Sequence, residues 1–262
     1  MKKNLFYIPF LTLLLTAVTS CTSDGEDGGN GNTAVFTAVS NAPDWQSSLL
    51  EAMVSNDAKP DWKLADLSDY ESFTVLVVKL DEVLVPRSND DDVMAVFIDN
   101  ECRAISPRNV TDDGIVFVFN VRGSSTEGAS EYRLSYYSGG LHQIFSLSET
   151  GGYLINEYIL GTDKDFVLPL TYGTTKFSTK TACTVSIPSN APFTPSEDDL
   201  VAAFIGNECR GVGKPGSIFT IYSNSSNEQV QLRYYSAEKQ GVYSDPTPIT
   251  LSDFGIDKEF NF

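Results

Sequence analysis

Along most of the chain, apolar residues come in short runs rich in Val, Ile, Phe, Tyr and Thr, divided by Gly, Asn, Asp, Ser and Pro. Such runs bounded by turn residues predict strands rather than helices. They place strands near residues 73–80, 93–98, 101–106, 115–121, 131–138, 141–147, 153–160 and 166–170. A second series falls near 181–187, 200–205, 208–213, 217–223, 228–236 and 258–262, with an undecided stretch in 242–251. Asp99-Asn100 and Gly206-Asn207 stand where two-residue hairpin turns require positive φ. Ahead of the strands, Leu49, Leu50, Met53 and Val54 follow Asp44 at helical spacing and predict a short capped helix. Pro60-Asp61-Trp62 repeats the wording of Pro43-Asp44-Trp45, and Trp62 is expected to be buried at one end of a sandwich.

The two series are copies of one module. Asp91–Ile105 matches Asp198–Val212 at nine of fifteen positions, with Asn-Glu-Cys-Arg shared outright. Leu134-Ser135-Tyr136-Tyr137-Ser138 then matches Leu232-Arg233-Tyr234-Tyr235-Ser236, and Gly161–Phe166 matches Gly255–Phe260, in the same order. Three collinear matches over this span describe repeated domains rather than a short solenoid unit. The expected fold is all-β: two tandem antiparallel β-sandwiches, immunoglobulin-like in broad architecture. Residues 35–172 form the first with an N-terminal extension, and residues 173–262 form the second.

The beginning of the chain reads differently. Lys2 and Lys3 precede an apolar run from Leu5 to Val18, and small or polar residues lead to Cys21, so residues 1–20 have the layout of a secretory signal. The run is too short, and too interrupted by Pro9 and threonines, to cross a bilayer comfortably. Val18-Thr19-Ser20-Cys21 resembles the lipobox of bacterial lipoproteins, which implies lipidation of Cys21 and a membrane anchor. Residues 21–34 are small, polar and acidic, the composition of a flexible tether. Within it, Ser23-Asp24-Gly25-Glu26-Asp27 resembles the acidic segment that sends Bacteroidetes lipoproteins to the outer face of the outer membrane; a periplasmic-facing anchor is the alternative.

Charge narrows the partners. With 35 Asp and Glu against 18 Lys and Arg, the net charge is −17, and losing Lys2 and Lys3 makes the remainder more acidic still. Such a surface repels nucleic acid and anionic lipid, so contact with a membrane is expected through the anchor alone.

Candidate chemistry is sparse. The single histidine, His142, stands beside the Gly139-Gly140 turn and has no counterpart in the second copy, which leaves a serine or cysteine nucleophile without an evident base. No phosphate-loop, nucleophile-elbow or zinc-ligand spacing occurs, and neither a cofactor nor a metal is expected. The acidic turns Asp90-Asp91-Asp92 and Glu197-Asp198-Asp199 lack the alternation of a calcium loop and read as solvated edge protection. On a regular strand, Glu101 and Arg103, like Glu208 and Arg210, share one face, leaving Cys102 and Cys209 to the core. The charged pairs are then either structural salt bridges or part of a ligand groove. Tyr136-Tyr137 and Tyr234-Tyr235 should each send one ring inward. Once Cys21 is lipidated, Cys102, Cys183 and Cys209 remain; three buried thiols are the simplest account, and a Cys183–Cys209 disulfide the alternative.

Trp62 and Tyr70 ahead of the first strand, the acidic turn, the Ala-x-Phe strand, the Glu-Cys-Arg hairpin and the aromatic pairs together resemble a tandem module of Bacteroidetes surface and secreted proteins. The resemblance covers roughly residues 60–262 and implies β-sandwich building blocks of cell-surface proteins, with no activity to carry over. Copy one departs at Ala104, where copy two has Gly211. The function expected is non-catalytic binding or adhesion at the cell surface, to a glycan or to a surface or host protein. A carboxylate-dependent glycan hydrolase and a structural subunit of a surface assembly are the alternatives.

Overall fold

A computed structural model describes residues 33–124, 126–127, 131–150, 166–168 and 173–262. Cys21, the expected signal at 1–20, most of the expected tether and the strand expected at 153–160 lie outside the described residues. The chain is nearly all β, with strands β1 (Val35–Ala38), β2 (Ser72–Leu80), β3 (Val93–Ile98), β4 (Glu101–Pro107), β5 (Asn109–Thr111), β6 (Gly114–Gly123), β7 (Glu131–Ser138), β8 (Gln143–Thr150), β9 (Phe166–Leu168) and β10 (Gly173–Thr174). The second series is β11 (Thr179–Ser186), β12 (Leu200–Ile205), β13 (Glu208–Gly213), β14 (Ile218–Ser223), β15 (Gln229–Ser236), β16 (Gly241–Ser244), β17 (Ile249–Thr250) and β18 (Asp257–Glu259). One helix, α1 (Trp45–Met53), precedes β2; Asp44 caps it by accepting from the Ser47 amide at 2.9 Å. The short strands β1, β5 and β10 carry too few residues to show a period.

In copy one the sheet β10-β8-β7-β3-β4 faces the sheet β5-β6-β2-β9, and Leu76, Val78 and Phe117 meet Val96, Leu134 and Tyr136 between them. In copy two the sheet β1-β16-β15-β12-β13, with β17 on β15, faces β14-β11-β18 over Cys183, Val185, Ile221, Val201 and Leu232. Pairing is antiparallel apart from β9 on β2 and β18 on β11. Both repeated hairpins carry a bulge at the same place, between Val96 and Phe97 and between Ala203 and Phe204. Asp99, Asn100 and Gly206 have positive φ, as their turn positions require.

The N-terminal extension does not stay with copy one. β1 adds to the edge of copy two, with Phe36 opposite Tyr243, while β10, which leads into copy two, adds to the edge of copy one, with Thr174 opposite Phe145. The segment ahead of each copy therefore completes the sheet of the other. The two Pro-Asp-Trp segments divide in the same way: Trp45 on α1 packs edge-on against Phe204 of copy two, and Trp62 edge-on against Phe97 of copy one. α1 also joins the core of copy one, so Leu49, Leu50 and Met53 form one apolar cluster with Leu76 on one side and Cys209 and Tyr222 on the other. Residues 32–262 make a single compact unit.

Candidate functional site

The bulge decides where the Glu-Cys-Arg side chains go. On β4, Cys102 pairs with Phe97 and Ala104 with Val96, which leaves Arg103 as the extra residue and breaks the simple alternation. Cys102 consequently lies with Ala95, Phe97 and Trp62 on the outer side of the sheet, away from the cluster that holds Val96 and Ala104. Cys209 does the same in copy two, joining Ala202, Phe204 and α1. This corrects the expectation that the cysteines face the sandwich core and the charged pairs a solvent or groove side.

Arg103 is buried, its side chain only 3% exposed. It donates to Glu101 at 3.2 Å, to the Arg122 carbonyl at 3.2 Å and to Glu127 at 2.6 Å. Tyr70 lies flat against it, 3.7 Å from guanidinium carbon to ring centroid, and donates its hydroxyl to Glu101 at 2.5 Å. That hydrogen bond to a carboxylate raises the pKa of the phenol. Arg210 repeats the arrangement, donating to Glu208 at 3.0 and 2.6 Å and to the Tyr222 carbonyl at 3.5 Å, with Phe177 at 4.4 Å in the place of Tyr70. The structure thus brings Glu101 to Arg103 and Glu208 to Arg210, each closed by an aromatic ring of its own copy. Their hydrogen bonds are spent on the fold rather than offered to a groove.

The acidic turns are the second correction. Asp91 and Asp198 are exposed, but Asp92 and Asp199 are buried. Asp92 accepts from the Tyr136 hydroxyl and the Gly139 amide, both at 2.8 Å, and from Ser88. Asp199 accepts from the Tyr234 hydroxyl at 2.5 Å, from the Ala237 amide at 2.8 Å and from Ser196. A carboxylate with this many donors is a staple between the turn and the aromatic strand, not solvated edge protection. Burial and the hydrogen bond to Asp199 push the Tyr234 phenol well up, and burial with the nearby Asp92 charge does the same to Tyr136. Tyr137 and Tyr235 are buried as well, because residues 54–59 and α1 cover the outer faces on which they lie.

All three described cysteines are free and buried. Burial pushes the Cys183 and Cys209 thiols up to about 12 and also raises Cys102. His142 is exposed in a turn with φ 47°, and its Nδ1 stands 3.3 Å from the Tyr137 hydroxyl. Among the described residues no three His, Cys, Asp or Glu side chains converge as metal ligands, and no helix is long and apolar enough to cross a membrane.

Among the exposed large apolar side chains, three fall together on the outer face of β2 and β6 in copy one. Phe73 is 58% exposed, Val118 49% and Val75 38%. The β2–β6 register sets Phe73 opposite Arg122 and Val77 opposite Val118, so these side chains share one flat face. The sequence carries the signal in Phe73-Thr74-Val75-Leu76-Val77-Val78, which is apolar on both alternations where a one-sided strand would be polar on one. Comparison with protein families, with curated proteins and with solved structures gives no match.

Proposed function

We propose that the chain is a lipid-anchored cell-surface protein, held at Cys21, that binds a protein partner without catalysis through the outer face of β2 and β6. The observation that supports this reading is the run of exposed apolar side chains that β2 adds to that face in copy one. Tyr70 and Phe177 occupy the same place beneath the two arginines, so Phe73, Val75 and Val77 correspond to Lys180, Ala182 and Thr184. Copy two keeps Ile218 there, opposite Thr184, but not the apolar run of β2, so the sandwich forms without that run, and a contiguous exposed apolar surface is the mark of an interaction site. The face is flat, with Arg122 5.6 Å from the Phe73 ring. A face with an aromatic and an arginine side by side suits a protein surface, whereas a glycan needs a groove lined with paired polar groups.

The test uses the lipid-free variant Cys21→Ser on parallel arrays of surface proteins, host proteins and glycans. Capture of a protein partner is expected, weakened by about thirtyfold or more in Phe73→Ala if that ring is a hot spot worth about 2 kcal/mol. Glycan capture that Phe73→Ala leaves intact, or release of sugar from a glycan, would overturn the reading. In cells, Cys21→Ala should abolish lipid labelling and free the protein from membranes, and labelling that persists would exclude Cys21 as the anchor.

A further inference from the structure

Helix α1 bridges the seam between β13 and β14 and leaves a pocket of about 180 Å³ beneath it, walled by Leu49, Val212 and Ile218 and by the polar residues Gln46, Thr220 and Tyr222. The seam is close-set: a Cβ on Gly211 would stand 2.5 Å from the Thr220 carbonyl oxygen. Copy one closes the same seam with Ser106, whose hydroxyl accepts from the Val118 amide at 2.9 Å. Its counterpart of Tyr222, identified by the carbonyl each offers to the hairpin arginine, is Arg122, which turns toward Phe73 instead. The pocket therefore belongs to copy two alone and depends on the arm that carries α1.

Two buried polar atoms in its wall have no hydrogen-bond partner, the Gln46 amide nitrogen and the Tyr222 hydroxyl. Tyr222 is only 2% exposed. Burial raises its pKa, so the phenol stays a neutral donor. Buried donors are nearly always paired in native proteins, and leaving one unpaired destabilises the fold. The Gln46 nitrogen can only donate and the Tyr222 hydroxyl can donate as well as accept, so one acceptor satisfies both, and the wall carries no ionic side chain to recognise a charge. Volume limits the size: an apolar cavity of about 150 Å³ holds benzene, while drug-sized ligands occupy about 300–1,000 Å³.

We propose that this pocket binds a small, uncharged, single-ring molecule carrying a hydrogen-bond acceptor, with the ring against Leu49, Val212 and Ile218 and the acceptor between Gln46 and Tyr222. The site is separate from the exposed face of copy one and does not depend on that reading. The probes are acetophenone, ethylbenzene as its match without the acceptor, and benzoate as its charged relative, titrated into the Cys21→Ser chain while the Val212 and Ile218 methyl resonances are followed. Acetophenone should saturate the shifts, ethylbenzene should bind about thirtyfold more weakly for want of both hydrogen bonds, and benzoate should not bind. Tyr222→Phe should weaken acetophenone about fivefold, the Gln46 hydrogen bond remaining, leave ethylbenzene unchanged and keep the melting temperature at least as high. The proposal fails if acetophenone does not saturate, or if it binds no better than ethylbenzene. It fails equally if Tyr222→Phe lowers the melting temperature while acetophenone affinity holds, since the hydroxyl is then structural.

Discussion

Arg103 is a cation whose environment was built around it. Its Glu127 partner is itself mostly buried, so Arg103→Ala would strand a carboxylate, and breaking such a pair from one side costs about 3–5 kcal/mol. Urea unfolding should show that loss for Arg103→Ala and a smaller one for Arg210→Ala, whose Glu208 partner is half exposed. The buried thiols set a pH dependence. Cys183 and Cys209 hold their protons to about 12 in the folded chain against an ordinary value of 9.0. The folded state therefore binds more protons across that window, and stability is complete below about pH 9 and falls as pH rises toward 12. The urea midpoint should drop between pH 8.5 and 10.5, and less steeply in Cys183→Ala; a flat profile would mean that the thiols are accessible. At this scale the repeat was legible and its roles were not. Asp91 and Asp92 are the same letter, and only the fold shows that the second is a staple to Tyr136. The coupled recurrence of Asp-Asp and Tyr-Tyr in both copies was the available signal. The facing of Cys102 was misread because a bulge, invisible to period-two reasoning, inserts Arg103.

At the scale of elements, the long strands were legible because each carries several apolar residues, and β2, β3, β4, β12 and β13 lie within a residue or two of their expected bounds. The partner of β1 was not legible, since a four-residue edge strand has no pattern that names its neighbour. Gly241 is the key to its docking. A Cβ there would come 2.1 Å from the Phe36 ring, so Gly241→Ala should dislodge β1 while the sandwich of copy two persists. Amide exchange should then rise at Val35–Ala38 and not at β12 or β15. Trp45→Ala removes the ring that seals Phe204 and should cost about 3–5 kcal/mol, as large-to-small changes at buried aromatics do.

Taken whole, residues 32–262 form one unit because the copies share α1 and trade edge strands. Two copies were legible in the repeat; their interlock was not, because Trp45 and Trp62 stand in the same words and only space assigns them to different copies. Thermal unfolding of the lipid-free chain should be a single transition, and removal of residues 33–53 should lower it for probes placed in copy two as well as in copy one; two transitions would mean that the copies melt independently. The exchange also imposes an order in time. A chain made from its N-terminus delivers β1 first, yet the strand that β1 pairs with, Gly241–Ser244, is among the last to be made. Completion of the fold must therefore wait until Gly241–Ser244 is available, so that β1 is both the first strand made and among the last to find its partner.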